Sequence, residues 1–157
     1  MLEAYSLEPE AFTSSAAERE CLPIEWWLKR VAAEPEAHER VFGAFLGYDL
    51  LGVAGLSFEQ RERTRHKATL FGMYVRPAAR GRGIAKALVQ EILGQACGSQ
   101  ITEVVQLTVT ESNLAAVRLY ANCGFIPFGT EPFAVKLGDG FLNKVHMWRR
   151  VSERVAD

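Results

Sequence analysis

Apolar positions set the elements along this chain. In the first third, Ile24, Trp27, Leu28 and Val31 recur at helical spacing across residues 23–33, with Lys29 and Arg30 turned away and Pro35 as a stop. Two apolar runs follow at 41–46 and 50–58, and Gly47-Tyr48-Asp49 between them predicts a hairpin. Residues 59–67 are polar and read as an exposed loop or an extension of that hairpin. The run at 68–75 is apolar on both alternating faces, which suits a strand covered on both sides in the middle of a sheet. Beyond Pro77, Ile84, Leu88, Ile92 and Ala96 fall every four residues, widened by Ala85 and Leu93, so a helix runs to about Cys97-Gly98. A short β-branched run at 104–109 is the second buried strand, and the strand, helix and strand together predict a βαβ unit with parallel strands. Ser112 and Asn113 are good caps for a short helix carrying Leu114, Val117 and Tyr120, which Gly124 closes. Residues 126–137 and 141–149 are extended, with Gly138-Asp139-Gly140 as their turn. The pattern is that of a single α/β domain over residues 1–157 with a mixed β-sheet.

Composition narrows the function. With 18 basic and 19 acidic side chains the net charge is −1, so no global field recruits nucleic acid or an anionic membrane, and any bound anion must be held locally. Cys21, Cys97 and Cys123 are odd in number and widely spaced, which reads as free thiols in a reducing compartment. The N-terminus is acidic where a secretory signal is basic and greasy, and no apolar run approaches ~18 residues. These features predict a cytoplasmic protein.

The segment most able to carry chemistry is Val75-Arg76-Pro77-Ala78-Ala79-Arg80-Gly81-Arg82-Gly83-Ile84-Ala85. A buried strand runs through an Arg/Gly loop straight into a helix, so unpaired N–H groups of loop and first turn converge as an anion cradle. Gly81 and Gly83 permit positive φ, and Arg80 and Arg82 add charge that can fork around phosphate oxygens. A tight connection with no ligand is the bland alternative. A dinucleotide fingerprint fits poorly, because Lys86 stands where its third glycine belongs, and the P-loop pattern is absent.

Arg80-Gly81-Arg82-Gly83-Ile84-Ala85 resembles the Q/R-x-x-G-x-G/A signature of the GNAT superfamily of acetyl-CoA-dependent N-acetyltransferases, and residues 113–125 (NLAAVRLYANCGF) are similar to its second motif. The resemblance spans roughly residues 41–149. It implies a GNAT-like mixed sheet whose central parallel strands splay, with acetyl-CoA as acyl donor and an amine-bearing acceptor. It further implies that Arg80 to Ala85 wrap the CoA diphosphate, that Met73, Tyr74 and Val75 bond the pantetheine arm through their backbone, that Asn113 orients the cofactor near its thiol end, and that Tyr120 meets the sulfur. By spacing alone Asn113 is equally a helix cap and Tyr120 a packed aromatic. Cys123 reads as packing, and Trp26 and Trp27 as core or as a wall of the acceptor pocket.

The implied reaction has an amine attack a thioester directly. An amine of pKa ~10.4 is neutral in about one molecule in two or three thousand at pH 7, a deficit of roughly 4.6 kcal/mol, so the site must supply a base, a water relay or a depressed amine pKa. Glu111, just past the second parallel strand, ranks first among side-chain bases, ahead of Glu59, His66 and His146, and a water-mediated proton path stands at least level with it. His38, His66 and His146 are scattered, so no metal site is expected. Glu25, Glu59 and Glu131 could attract a cationic amine or simply face solvent. The family's usual first strand looks missing, since residues 1–5 read as already helical; either it is trimmed from this N-terminus or the strand at 41–46 has an uncovered edge that a partner chain, such as a second copy, could occupy. Two other classes of function stay open: an acetyl-CoA-binding or sensing module without turnover, and a structural domain whose Arg/Gly loop is only a turn.

Overall fold

The computed structural model describes residues 1–31 and 37–151 and is built on a six-stranded sheet. The strands are β1 (Glu39–Leu46), β2 (Asp49–Phe58), β3 (Lys67–Val75), β4 (Val104–Thr110), β5 (Ile126–Leu137) and β6 (Gly140–Arg150), in the order β1-β2-β3-β4-β6-β5. The helices are α1 (Leu2–Leu7), α2 (Ala16–Glu20), α3 (Ile24–Val31), α4 (Ile84–Gly98) and α5 (Leu114–Asn122). The chain starts helical, as its first residues imply, and β1 lies at one edge of the sheet. Among the described residues no helix is long and apolar enough to cross a membrane.

Alternation along the strands sorts the two faces. Ala54 and Leu56 of β2, Ala68 and Leu70 of β3, Val105 and Leu107 of β4 and Met147 of β6 are buried in one cluster with Leu88, Val89, Ile92 and Ala96 of α4. Burying each large side chain here contributes about 1.5–3 kcal/mol, which fixes α4 across the sheet. One residue out of phase, Val53, Gly55 and Phe71 meet Tyr5 of α1 and Trp27 of α3.

The helix α3 departs from expectation on its two faces. Ile24, Leu28 and Val31 are more than half exposed, whereas Arg30 turns inward: its guanidinium sits 3.9 Å from the Trp26 ring centre and pairs with Glu39 at 3.2 Å. Arginine stacks on aromatic faces while keeping an ion pair, so the inner side of α3 carries Arg30 and tryptophan beside the partly exposed Leu28 and Val31. The last part of the expected helix, residues 32–33, and the Pro35 stop lie outside the described residues.

The central pair β3 and β4 is parallel, as the βαβ pattern implies, but it pairs only at Lys67–Val104, Ala68–Val105 and Thr69–Gln106. Beyond that point β4 stays paired with β6 through Thr110–Lys144, while β3 from Leu70 to Val75 has no strand on its β4 side. The two strands therefore part, and a wedge opens between them.

Candidate active site

The mouth of the wedge is the Arg/Gly loop. Pro77–Ala79 form a single turn of 3-10 helix, after which Gly81 and Gly83 take φ of +76° and +79°. A side chain is strained at both positions, although a Cβ there would meet nothing within 4 Å, so the space in front of the loop is open. Gly83 caps α4 without a side-chain hydrogen bond, which leaves first-turn N–H groups of a 15-residue helix facing that space. Val75, Arg80, Gly81, Gly83, Ile84 and Ala85 line a cavity of about 270 Å³ there. The Arg80 guanidinium is engaged elsewhere: Nε donates to the Val75 carbonyl at 3.0 Å and Nη2 to Glu8 at 2.8 Å. In this arrangement the Arg80 guanidinium is paired with Glu8, and the open space before the loop is faced by backbone N–H groups and by Lys86.

A second cavity of about 340 Å³ continues inward, with Met73, Tyr74 and Val75 of β3 on one side and Asn113, Ala116 and Leu119 on the other. It shares Val75, Arg80, Ala85 and Leu119 with the first. Asn113 does two things at once: Oδ1 accepts from the Ala116 N–H at 3.1 Å, capping α5, and the residue lines this cavity and the next. The Tyr74 side chain points away from any such role, since its hydroxyl donates to Glu3 at 3.1 Å. Burial, then that bond, raises its pKa. Glu3 is in turn held below its ordinary value chiefly by hydrogen bonds from Arg76.

The wedge ends in a third cavity of about 260 Å³, where Gly72 and Met73 of β3 meet Tyr120 of α5. Gly72 has φ +63°, and the register jumps from Gly55–Phe71 to Val53–Tyr74 across it. Two residues of β3 therefore oppose Ala54 alone, a bulge that turns the backbone toward the wedge. Tyr120 is 5% exposed and stacks edge-to-face on Phe125 at 5.9 Å. Burial drives its phenol pKa far above the ordinary value, so the hydroxyl keeps its proton across the working pH range.

None of the four side-chain base candidates lines this cavity. The Glu111 carboxylate lies outside, accepting from Asn143 Nδ2 at 2.9 Å. Glu59 lines a separate cavity with Arg65 and Gln95, the His66 carbonyl accepts from the Glu103 and Val104 N–H groups at the start of β4, and His146 pairs with Glu131 at 3.1 Å. The acids suggested as amine attractors, Glu25, Glu59 and Glu131, are likewise absent from its lining. What lines it instead is basic: Arg19, Arg30 and Lys144. Sequence reasoning missed Arg19 and Lys144, because only the return of α2 over the wedge and the Thr110–Lys144 register bring them there. Among the described residues no group of His, Cys, Asp and Glu is placed to hold a metal ion.

A bulged strand parting from its parallel neighbour, with an uncapped glycine-led helix at the mouth of the gap, defines a class. The sequence matches the family model of the acetyltransferase (GNAT) family over residues 1–125, and the chain belongs to that family, whose acyl donor is acetyl-CoA. It is 30% identical over 114 residues to the L-amino acid N-acetyltransferase AaaT of Escherichia coli K12, covering 72% of this chain and 68% of that one. Among solved structures, an acetyltransferase of the GNAT family from Streptococcus pneumoniae is 27% identical with a TM-score of 0.73, over 84% of this chain and 78% of that one. The fold is also that of yncA from Salmonella typhimurium, solved with its cofactor acetyl-CoA, at a TM-score of 0.76 and 19% identity over 99% and 87% of the two chains.

Proposed function

We propose that this chain moves the acetyl group of acetyl-CoA to a primary amine of a small molecule or peptide by direct attack within a ternary complex. The observation that carries the proposal is the continuity of three cavities from the glycine cradle to the bulge and Tyr120. The cradle fits a diphosphate, because its glycines leave the space in front open and its helix offers uncapped N–H groups. The unpaired edge of β3 at Met73 to Val75 suits the amide groups of a pantetheine arm, as an added strand would pair there.

Acetyl-CoA supplies an activated acyl carbon and a good leaving thiolate. The chain's own residues do the rest. The amine nitrogen forms the new C–N bond, the C–S bond breaks, and Tyr120 gives its proton to the departing sulfur. The proton lost by the amine leaves through water and restores the phenol. The bulge at Gly72 frees backbone N–H groups from the ladder to stabilise the charge that develops on the acyl oxygen. With three basic side chains and, among the described residues, no carboxylate lining the cavity, the amine itself is pushed toward its neutral, nucleophilic form. That supports a water path over a glutamate base. The resemblance to an L-amino acid N-acetyltransferase supports an amine acceptor.

The test is mass detection of N-acetylated product after incubation with acetyl-CoA and a panel of amines. Mass is the better readout than thiol release, because Cys21 and Cys97 are exposed and react with thiol reagents themselves. Tight acetyl-CoA binding with no product from any amine would point to a sensing module instead.

A further inference from the structure

Resting on that reading, we propose that the acceptor is an amino acid: a primary amine whose carboxylate is seated between Arg19 and Lys144, with its side chain in the apolar recess behind Gly72.

The reaction cavity is one-sided in charge. Arg19, Arg30 and Lys144 line it, and among the described residues no aspartate or glutamate does. Arg30 already has a partner in Glu39. Arg19 has none among the described residues: Nη2 donates to Ser14 Oγ at 2.8 Å, its guanidinium rests 4.6 Å from the Trp26 ring centre, and Nε is buried without any hydrogen-bond acceptor. Lys144 is buried on the other wall, 7% exposed, with Nζ donating to Thr13 Oγ1 at 2.6 Å. Its cross-strand neighbour Glu131 is paired to His146 and lies beyond ion-pair distance of Nζ. Burial lowers the Lys144 pKa against the opposing pull of the Glu131 charge, and an arriving carboxylate would act in the same direction as Glu131, favouring the ammonium.

A half-buried guanidinium whose Nε has no acceptor and a buried amine, with hydroxyls but no carboxylate around them among the described residues, are costly to keep unless something anionic completes them. A purely cationic acceptor is repelled by this wall. A zwitterion is not: its carboxylate meets the two basic groups while its amine reaches the bulge and Tyr120, which line the same cavity. Thr13 and Ser14, which hold Lys144 and Arg19, fix both in place.

A recess of about 150 Å³ opens from the same point and shares Tyr5, Arg30, Phe71 and Gly72 with the reaction cavity. Its remaining walls, Trp27, Leu28, Val41 and Val53 among them, are apolar. An apolar side chain on the acceptor would be covered there, and a charged one would not.

The experiment compares L-leucine with isoamylamine, the same molecule without its carboxylate, as acceptors for the whole chain. The expected result is a kcat/KM at least about 100-fold higher for leucine, in line with the loss when a site built to bond a group meets an analogue lacking it. In Lys144→Met and Arg19→Gln that preference collapses toward one. Binding of N-acetyl-L-leucine, which keeps the carboxylate and has no ammonium, is measured by calorimetry. It should be seen in the parent and lost in both variants, with CoA binding retained as the check that each has folded. Isoamylamine acetylated as well as leucine, or a preference that survives both substitutions, would overturn the amino-acid assignment and leave the acetyltransferase reading intact. Acetyl-CoA binding with no transfer to either acceptor, and no binding of N-acetyl-L-leucine, would overturn both.

Discussion

The donor side and the acceptor side of this wedge are built in opposite ways. On the proposed donor side, β3, the glycine loop, α4 and α5 come from one continuous stretch of about fifty-five residues, and the proposed ligand would be met mostly by backbone. On the acceptor side, residues from α2, α3 and β6 converge from opposite ends of the chain, and the contacts are side chains. Backbone donors depend on conformation and little on identity, so the donor site tolerates sequence change provided the φ angles hold. Side-chain donors depend on identity alone, so the acceptor site can be rebuilt without touching the fold. The family match ends at residue 125, just before β5 and β6 begin, which is where such freedom would be exercised.

If this contrast is right, the largest loss comes from damaging backbone conformation at the mouth. Gly83→Val places a β-branched residue at φ +79°, a strain of about 1–3 kcal/mol that is relieved by moving the loop. Acetyl-CoA binding by calorimetry should weaken by at least about 100-fold, since each ~1.4 kcal/mol of lost binding is tenfold and several N–H groups are displaced together. Unchanged affinity would show that the diphosphate is held elsewhere.

Next in size is Tyr120→Phe, which removes a proton and no packing. The turnover rate should fall by about 10- to 100-fold, at the low end for a positioned acid because a thiolate leaves tolerably unaided, while acetyl-CoA affinity stays within about threefold. An equal loss in binding would make Tyr120 a packing residue. A full rate with the true acceptor would remove it from the chemistry.

Asn113 sits on the border between structure and ligand, and two substitutions divide its roles. Asn113→Ala should cost about 1 kcal/mol of stability through the lost bond to the Ala116 N–H, read by denaturant unfolding. Asn113→Ser keeps a cap of similar strength, so any defect in turnover that persists in it belongs to the cavity.

The same contrast explains what could be read from the residues in advance. The βαβ unit, the positive-φ glycines of the loop and the Asn113 cap were legible because their signals are local: a buried run, two glycines and a capping side chain within a few residues of one another. The parallel pairing was legible too, but its abrupt end after Thr69 was not, since the bulge at Gly72 is set by pairing with Ala54 across the sheet. Glu111 looked well placed by chain position. Asn143, brought beside it by the β4–β6 ladder, draws its carboxylate away from the wedge. Lys144 carries no local mark at all: it is one polar residue in an extended run, and only its register opposite Thr110 buries it. The helix α3 was legible only in part: Trp27, Leu28 and Val31 of the expected stripe line the recess against the sheet, but Arg30, expected to face away, joins them there by stacking on Trp26 and pairing with Glu39.

The thiols offer a milder probe. Cys21 and Cys97 are exposed and Cys123 is buried, its pKa raised chiefly by burial. A thiol reagent at neutral pH should label two cysteines promptly and the third only as the chain unfolds. Prompt labelling of Cys123 would mean that α5, the wall shared by both halves of the wedge, opens easily.

The smallest effect should come from a glycine that serves neither half. Gly94 lies on the exposed side of α4, far along the helix from the cradle, and a Cβ there would meet nothing within 4 Å. Unlike Gly81 and Gly83 it has ordinary helical backbone, so its hydrogen confers no conformational need and only leaves the unfolded chain freer. Gly94→Ala should therefore raise stability by about 0.5–1 kcal/mol in denaturant unfolding, with acetyl-CoA affinity and turnover unchanged. A gain in stability together with a loss of acetyl-CoA binding would mean that the cradle relies on flexibility in α4, and the donor site would then be something other than a rigid backbone mould.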